Sequence, residues 1–238
     1  MKVLITGATS GIGEALAKRY AQQHDVIACG RDEQKLKELE DSQGQGRIKG
    51  LSFDVTELEA IKSATTDIGE LDLVVLNAGN CEYVDDARHF DSALFERVIT
   101  INLLSLGYCL EALLPKLKSG AHLAIVSSSV TYLPLTRSEA YGASKSGATY
   151  LAKCLAVDLK DIDVSVIHPG FVKTPLTDNN DFPMPMAVSA EQAAEYMYKG
   201  LQKRRKEIHF PKRFTFILKL LRVLPWPLWR KIAKGMVR

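Results

Sequence analysis

Tyr141 and Lys145 form the pair of side chains in this sequence whose types and spacing best suit acid–base chemistry. They stand in YGASK at 141–145, four residues apart, so on a helix they lie one turn from each other on one face. A tyrosine with a pKa of about 10 is a poor acid or base at neutral pH, but a nearby ammonium favours the phenolate and lowers that pKa. The pair therefore predicts a general acid/base, although a Y-x-x-x-K spacing alone is common.

Two other polar positions could take part in the same chemistry. The run Ser127, Ser128 and Ser129 ends an apolar strand candidate. A hydroxyl there could polarise a carbonyl oxygen, or the run could reflect ordinary strand-end and turn chemistry. Asn102 lies inside the hydrophobic helical stretch VITINLLSL. Because asparagine is a mediocre helix former, a buried role is predicted for it.

The glycine-rich turn TGATSGIG, residues 6–13, lies between the first strand candidate and the first helix candidate. Its three glycines allow a tight turn and close approach of backbone N–H groups to a pyrophosphate at a helix N-terminus. Many such turns bind nothing, so the turn alone is weak evidence, which its position at the first strand–helix junction strengthens. Cofactor contacts are predicted for Gly7, Thr9, Ser10, Gly11, Ile12 and Gly13.

The second strand candidate ends in ACGRD, where dinucleotide sites that prefer NAD place a carboxylate against the ribose 2′-OH. Here Gly30 has no side chain and Arg31 follows, which suits the 2′-phosphate of NADP(H). A basic residue at a helix start opposes the macrodipole, and this favours a binding role for Arg31 over a merely solvated charge. Asp32 would change the preference if it, rather than Arg31, faced the ribose.

The elements that must position these residues alternate between short apolar runs and helical periodicity. We predict an α/β fold, a Rossmann-type doubly wound, seven-stranded parallel sheet with helices on both faces. One catalytic domain is expected at 1–210, with 211–238 as a basic amphipathic extension. The strand candidates are KVLIT, DVIACG, IKGLSFDV, LDLVVLNAG, AHLAIVSSS, DVSVIHPG and EIHF. The helix candidates are 14–23, 32–41, a helix opened by a Thr56–Glu59 capping box, 92–118, 141–159 and 189–205.

Charge is distributed unevenly along the 238 residues. Of 31 basic residues, 12 lie from Lys203 onward with a single acid, Glu207, so the preceding chain carries a net charge of −8. An acidic body with a basic tail predicts that the tail meets an anionic surface or the body itself. No basic groove motif for nucleic acid is present, so no nucleic-acid partner is expected. The four cysteines are widely spaced, which predicts buried, reduced thiols of a cytoplasmic protein and no metal site.

Taken together, these motifs resemble those of the short-chain dehydrogenase/reductase family over about residues 1–210. TGATSGIG is similar to the family's TGxxxGxG turn, and LNAG to its NNAG, with Leu76 as a departure. In FDV, Asp54 and Val55 stand where the family contacts the adenine. HPGFVKT resembles the segment that meets the nicotinamide carboxamide. The resemblance thus implies cofactor contacts at Asp54, Val55, Asn77, Ala78, Gly79, Pro169, Gly170, Val172 and Thr174, together with Tyr141 and Lys145.

The family's catalytic tetrad carries over by resemblance as Asn102, Ser128, Tyr141 and Lys145. Ser128 is chosen because the family spacing places the serine thirteen residues before the tyrosine. The resemblance implies an NADP(H)-dependent oxidoreductase of a carbonyl or secondary alcohol, in which Asn102 positions Lys145 through a water. It also implies a homodimer or homotetramer formed through the helices at 92–118 and 141–159. A catalytically silent NADP-binding sensor or membrane-surface scaffold is the alternative.

Two segments bear on the substrate and the location. The stretch PLTDNNDFPMPMAV at 175–188 follows the last cofactor motif, and its Pro, Met and Phe predict an apolar, adaptable wall. In the tail at 214–238, Phe214, Ile217, Leu218, Leu221 and Leu224 fall at helical spacing, with Lys219 and Arg222 opposite, and a second basic helix at 228–236 follows. This predicts either peripheral contact with the inner face of a membrane or a helix pair that closes the substrate cleft or packs on a partner subunit, with its basic residues facing the acidic body. No uninterrupted apolar run is long enough to span a bilayer.

Overall fold

A seven-stranded parallel sheet forms the centre of the computed structural model, which describes residues 1–42, 47–178 and 180–235. Its strands are β1 Lys2–Thr6, β2 Asp25–Gly30, β3 Ile48–Ser52, β4 Leu71–Leu76, β5 Leu117–Val126, β6 Asp163–Pro169 and β9 Glu207–Phe210. Their order is β3-β2-β1-β4-β5-β6-β9. Two short strands, β7 Val172–Lys173 and β8 Val188–Ser189, pair separately. The predicted fold class is confirmed, and so are its seven strands.

Helices cover both faces of this sheet. They are α1 Gly11–Ala21, α2 Glu33–Asp41, α3 Leu58–Thr65, α4 Ser92–Ile99, α5 Ser105–Leu113, α6 Glu139–Asp158, α7 Ala190–Gln202, α8 Lys212–Leu221 and α9 Trp226–Lys234. Successive side chains of a strand point to opposite faces, so in β1 Val3 and Ile5 join the core under α1, α2 and α7. Leu4 joins the core under α3, α5 and α6. Burial on both sides explains why the strands read as continuous apolar runs.

The capping box predicted at Thr56 is wrong. Helix α3 begins at Leu58 with Glu57 as its N-cap residue, and no side chain caps it. Thr56 instead donates both its hydroxyl and its backbone N–H to Asp54 Oδ1, each at 2.8 Å. The carboxylate two residues upstream thus competes successfully for the groups that a cap would have used.

The predicted helix at 92–118 is nearly continuous but contains a turn of different geometry. Between α4 and α5 the segment Thr100–Leu104 is π-helical, and a 3₁₀ turn, Leu114–Lys116, ends the run. Within the part of the chain that the structure describes, Ser92–Lys116 is the one helix long and apolar enough to cross a membrane by length and composition. Its residues Leu106, Leu110 and Leu113 pack in the core beneath the sheet, which identifies it as a covering helix of that core.

The tail forms two helices, as predicted, and they pack on the body. Trp229 of α9 is 2% exposed, and its Nε1 donates a hydrogen bond to the Pro134 carbonyl oxygen at 3.0 Å. Leu218 of α8 is buried with it against Tyr132 and Leu133. Helix α9 begins at Trp226, two residues before the predicted start, with Pro227 in its first turn. The predicted end of this helix at Met236 lies outside the described residues.

Two tail residues depart from the predicted apolar stripe of α8. Ile217, predicted on the same side of the helix as Phe214 and Leu218, is 48% exposed. Lys219, predicted on the opposite side, is partly buried, and its Nζ pairs with Glu207 at 2.9 Å and lies 5.1 Å from the centre of the Tyr132 ring. The hydrophobic spacing alone could not reveal this, because the partner carboxylate comes from β9.

Candidate active site

The carboxyl ends of the parallel strands open into a cleft of about 360 Å³. β1 and β4 are the neighbours at which the winding direction reverses, the place where doubly wound sheets bind their ligands. Of the residues predicted as catalytic or cofactor-binding, all but Gly13 and Asn102 line this cleft. They are Gly7, Thr9, Ser10, Gly11, Ile12, Arg31, Asp54, Val55, Asn77, Ala78, Gly79, Ser128, Tyr141, Lys145, Pro169, Gly170, Val172 and Thr174.

The glycine-rich turn directs the N-terminus of α1 into the cleft. Ser10 is the N-cap residue, but its side chain makes no hydrogen bond to the first turn, so the first N–H groups of the helix lack a side-chain cap. Gly7 and Gly11 have φ angles of +65° and +55°, which favour glycine. A Cβ on Gly13 would lie 2.1 Å from the Gly7 carbonyl oxygen. Gly13 therefore allows α1 to pack closely on the turn.

The floor beside this turn is held by hydrogen bonds between β1 and β4. Thr6 Oγ1 accepts hydrogen bonds from the backbone N–H groups of Asn77, at 3.0 Å, and Ala78, at 3.1 Å. In return, Asn77 Nδ2 donates to the carbonyl oxygens of Thr6, at 3.1 Å, and Gly7, at 3.2 Å. Uncapped helix N–H groups over a fixed, glycine-rich turn fit the pyrophosphate of a dinucleotide.

At the far end of the cleft stand the residues expected to contact the adenosine. Arg31 is exposed at the end of β2, and its guanidinium lies 3.4 Å from Asp54 Oδ2. The pKa of Asp54 is lowered by the Thr56 and Arg31 contacts, which together outweigh burial, the largest single effect. Asp32 accepts a hydrogen bond from the Lys35 backbone N–H at 3.0 Å as the N-cap of α2. It does not line the cleft, so Arg31 is the charged residue there at the end of β2.

Tyr141 and Lys145 lie one turn apart on α6 at the inner end of the cleft. Lys145 is 5% exposed, and its Nζ donates a hydrogen bond to the Val126 carbonyl oxygen at 3.1 Å. Burial lowers the pKa of Lys145 to about 8. Burial also raises the pKa of Tyr141 well above its ordinary value, and the adjacent Cys81 adds to the rise. The expected lowering of the Tyr141 pKa by Lys145 is therefore not met, and Nζ lies 5.9 Å from the ring centre.

The three consecutive serines have different surroundings. Ser127 Oγ donates to the Lys145 carbonyl oxygen at 2.9 Å and contacts Thr149 Oγ1 at 2.7 Å, so it fastens β5 to α6. The Ser128 hydroxyl lies against Tyr141 and its hydrogen bond opposes the rise in the tyrosine pKa. Ser129 is buried and begins a short 3₁₀ turn. Ser127 also lines the cleft with Tyr141, so the choice of Ser128 as the catalytic serine stays a prediction of the family spacing.

Both polar atoms of the Asn102 side chain are hydrogen-bonded within the protein. It lies in the π-helical turn, is 1% exposed, and does not line the cleft. Its Oδ1 accepts from the Asn80 backbone N–H at 2.8 Å, while its Nδ2 donates to the Asn80 carbonyl oxygen at 2.9 Å and to Ser144 Oγ at 3.0 Å. π-helical turns occur frequently at functional sites. Here the turn places an amide where it fixes the loop after β4 to α6, one residue before Lys145.

A second cavity, of about 770 Å³, meets the cleft at the catalytic end. Ser128, Tyr141, Gly170, Leu176 and Thr177 line both. Its apolar lining includes Val130, Leu135, Phe171, Leu176, Phe182, Pro183, Pro185, Phe214 and Leu218. The predicted apolar wall at 175–188 is therefore present through its Leu, Phe and Pro residues.

The methionines of that segment do not contribute to this wall. Met184 Sδ is instead in contact with Asn180 Nδ2 at 3.3 Å, and Met186 is 49% exposed. By contrast, two residues of α8, Phe214 and Leu218, and Gly235 after α9 do line the cavity. The second interpretation of the tail, a helix pair packed over the substrate cleft, thus agrees with its position.

Sequence reasoning missed several residues of this region. Arg137 has a φ of +63° and bridges two segments of the rim, with Nε 3.0 Å from Asp85 Oδ1 and Nη1 2.8 Å from Asp181 Oδ1. Cys81 and Tyr83 line the same cavity. Asn80 lines the cofactor cleft, and its buried Oδ1 has no hydrogen-bond partner among the described residues. Only Asn80 and Cys81 had a signal, their position directly after the LNAG motif.

One chain of contacts connects Ser128 to the tail. The Ser128 carbonyl oxygen accepts hydrogen bonds from Thr131 Oγ1, at 2.8 Å, and from His168 Nδ1, at 3.0 Å. His168 is buried, which lowers its pKa, and its Nε2 lies 3.9 Å from Glu207. Glu207 also accepts a hydrogen bond from the Tyr132 hydroxyl at 2.8 Å and pairs with Lys219 of α8. His168 is therefore structural.

Comparison with known proteins agrees with this geometry. A sequence profile described as short chain dehydrogenase matches residues 1–183. An uncharacterized oxidoreductase of Myxococcus xanthus is 35% identical over 242 aligned residues, which cover 97% of this chain and 95% of the relative. The NADP-dependent 3-hydroxy acid dehydrogenase YdfG of Escherichia coli is 33% identical over 181 residues, 72% of this chain and 73% of that protein. A short chain dehydrogenase/reductase of Burkholderia phymatum, crystallised with NAD, has a TM-score of 0.82 and 20% identity over 92% of each chain, a likeness of fold.

Proposed function

This chain belongs to the short-chain dehydrogenase family, and from that premise we propose that it is an NADP(H)-dependent oxidoreductase of apolar carbonyl compounds or secondary alcohols. One observation supports this more than any other. Tyr141 and Ser128 lie where the cofactor cleft and the second cavity meet. A carbonyl oxygen placed there would reach a phenol and an aliphatic hydroxyl at the mouth of the dinucleotide site.

Each step of the proposed reaction can be assigned to a residue of the site. Bound NADPH would supply the hydride. The raised pKa keeps Tyr141 protonated at neutral pH, so its phenol can donate a proton to the substrate oxygen that becomes the alcohol. Ser128 donates a hydrogen bond to the same oxygen, where negative charge develops. Oxidation runs in reverse and requires Tyr141 as the phenolate.

Lys145 and Asn102 have different parts in this proposal. With its pKa lowered to about 8, Lys145 remains a cation at neutral pH and provides the nearest positive charge for a developing tyrosinate. Asn102 holds the loop after β4 through both its amide atoms. It is therefore a positioning residue, and a water route from it to Lys145 stays a prediction of the family resemblance.

The preference for NADP(H) is proposed from the end of β2. Gly30 leaves space, Asp32 is occupied as a helix cap, and Arg31 stands at the rim of the cleft. Among the described residues the Arg31 guanidinium pairs with Asp54 alone, at an exposed position, so it can bind a 2′-phosphate instead. The YdfG relative is described as NADP-dependent, which supports the same choice.

The test is a direct measurement of hydride transfer. NADPH, labelled with deuterium at the transferred position, is incubated with the protein and a panel of aliphatic and aromatic carbonyls. We expect NADPH oxidation and an equal amount of deuterated alcohol, with apolar ketones favoured over charged ones. Tight NADPH binding with no oxidation across the panel would instead favour a silent sensor or scaffold.

Assembly and location are also proposed. Leu104, Tyr150 and Val157 are exposed apolar residues on the two helical segments through which the family resemblance implies self-association. A homodimer or homotetramer through these helices is proposed, and sedimentation of the Val157→Glu variant tests it. The cysteines Cys29, Cys81, Cys109 and Cys154 are free thiols, which supports the proposed cytoplasmic location. Cys29 and Cys109 are buried as predicted, whereas Cys81 is half-buried and Cys154 is exposed.

A further inference from the structure

The tail at Lys212–Lys234 has an inner side, which packs on the body, and an outer side, which does not. Leu218 of α8 and Trp229 of α9 both pack against Tyr132 and Leu133. Because both helices direct a buried residue toward the same cluster, their opposite sides both point away from the body. The exposed side chains on this outer face are the apolar Phe216, Ile217, Leu220, Val223, Trp226, Leu228 and Ile232 and the basic Lys212, Arg213, Arg222, Arg230, Lys231 and Lys234. Phe216 lies at the edge of this face, where its ring also meets that of His209 edge-on, with 5.2 Å between the ring centres.

The apolar part of the outer face is unusually exposed for its composition. Leu220 is 73% exposed, Val223 80% and Trp226 59%. On α8, Arg213, Phe216, Ile217 and Leu220 are spaced three and four residues apart, so they form one stripe. Adjoining exposed apolar residues, bordered by polar ones, mark an interaction site. The buried Trp229 anchors the helices, so this face is presented in a fixed position.

The positive charge of the outer face helps to identify the kind of partner that binds there. None of its six basic side chains forms an ion pair with another described residue. Glu207, the only acid from Lys203 onward, is already paired with Lys219. A two-fold contact with a second copy would set the same six cations against each other. A contact with the acidic body of a second copy would neutralise the cations, and the sedimentation control described below tests for it. A flat partner with anionic groups above an apolar layer would both pair with the cations and bury the exposed apolar side chains.

We propose that the outer face of α8 and α9 docks the protein on the surface of an anionic lipid bilayer. Short amphipathic helices with Trp on the apolar side and Lys and Arg beside it lie in the plane of the interface, with apolar side chains between the headgroups. Anionic lipid attracts the unpaired cations. Neither helix spans the bilayer, because each has at most ten residues.

Docking in this orientation has a consequence for the substrate cavity, which rests on the proposed function. Phe214 and Leu218 of α8 and Gly235 after α9 line that cavity. The helices that touch the lipid are thus the same ones that wall the apolar site. A carbonyl or alcohol dissolved in the bilayer would reach Tyr141 along α8 without crossing open water.

The experiment uses the full chain and vesicles of two compositions. Flotation with phosphatidylcholine vesicles is compared with flotation with vesicles of phosphatidylcholine mixed with phosphatidylglycerol, at low and at high salt. We expect binding to the anionic vesicles at low salt and its loss at high salt, because charges near the surface are screened over about 10 Å at 0.1 M salt. Absence of binding to anionic vesicles at low salt would overturn the proposal, as would equal binding to both compositions.

Three variants locate the contact. Phe216→Glu places a charge in the apolar stripe and should abolish flotation, whereas the matched Phe90→Glu changes an equally apolar, exposed phenylalanine (46% against 57% exposed) outside the tail. Replacing Arg230, Lys231 and Lys234 by glutamine should weaken binding roughly 100-fold. If Phe216→Glu and Phe90→Glu float alike, the outer face is not the lipid contact.

Two controls separate this proposal from others. If Phe216→Glu converts a sedimenting oligomer into a monomer in the absence of lipid, the face binds a second copy and the proposal fails. The Tyr141→Phe variant should bind vesicles as the unaltered chain does. Failure of docking therefore leaves the proposed reaction intact, and failure of the reaction leaves docking intact.

Discussion

The catalytic end of the cleft and the wall of the second cavity differ in how they are held. Lys145 and Asn102 lie on helices that cover the sheet, are almost fully buried, and have their polar groups paired. The cavity wall consists of loops and the tail, fixed by the exposed ion pairs of Arg137 and by one buried tryptophan, Trp229. Exposed ion pairs contribute little to stability, about 0–1 kcal/mol.

This difference indicates how the fold separates reaction from specificity. The groups that would move the proton and bind the cofactor are part of the sheet and its helices, where a change disturbs the core. The surfaces that would select a substrate are attached at the edge, where a change is tolerated. Four substitutions test the division, and their expected effects decrease in the order given.

Tyr141→Phe removes the proton donor without removing the ring. We expect turnover to fall by roughly 10²–10⁴, while NADPH binding measured by fluorescence titration stays the same. Tyr196→Phe is the matched control, because Tyr196 of α7 is 45% exposed and lines neither the cleft nor the second cavity, so this variant should lose nothing. Retained turnover in Tyr141→Phe would remove the tyrosine from the mechanism.

Trp229→Ala removes the side chain that fixes the tail. Loss of a buried aromatic residue typically destabilises by about 3–5 kcal/mol, and here we expect that loss to fall mainly on α8 and α9. KM for large apolar ketones should rise while turnover of a small ketone stays nearly constant, as steady-state kinetics would measure. The matched Trp226→Ala, at an exposed tryptophan, should change neither value. An equal loss of turnover for small and large ketones would contradict the separation of reaction from specificity.

Lys145→Met tests the stability of the catalytic end. Because burial lowers the pKa of Lys145 from 10.5 to about 8, the unfolded chain binds more protons than the folded one between these values. Stability therefore rises with pH across that window and is lowest at or below pH 8. Removing the buried charge should raise the free energy of unfolding at pH 7 by roughly 2 kcal/mol. The lowered pKa costs the folded state about 1.36 kcal/mol per pKa unit, and the variant loses one hydrogen bond to Val126, which offsets part of the gain.

The measurement is urea unfolding at several pH values. The advantage of Lys145→Met should shrink between pH 8 and 10.5 and be absent above that range, while its catalytic activity should be lost at every pH. A variant less stable than the unaltered chain at pH 7 would show that Lys145 is an ordinary stabilising residue.

Arg31→Ala should have the smallest effect, because Arg31 is exposed. We expect NADPH affinity to fall roughly tenfold, the value of one exposed charge-assisted contact, with NADH affinity unchanged. Isothermal titration with both cofactors measures this, and NADH serves as the internal control. Equal losses for the two cofactors would show that Arg31 does not discriminate between them.

The sequence predicted the sheet well because its signals are local. Strands that are buried on both faces appear in the sequence as continuous apolar runs. The glycine-rich turn and the Tyr141–Lys145 spacing are each contained within a few residues. The sequence failed where a distant partner decides. Lys219 turns toward the body because Glu207 is there, and the Tyr141 pKa rises because the fold buries the phenol. Arg137 joins two loops that the sequence does not place together.

The carboxylate of Glu207 belongs to both of the regions compared above. It accepts a hydrogen bond from Tyr132 and pairs with Lys219 of the tail, and it stands near His168, which holds the backbone of Ser128. One side chain at the edge of the sheet therefore borders both the proton-transfer end and the wall that would select the substrate.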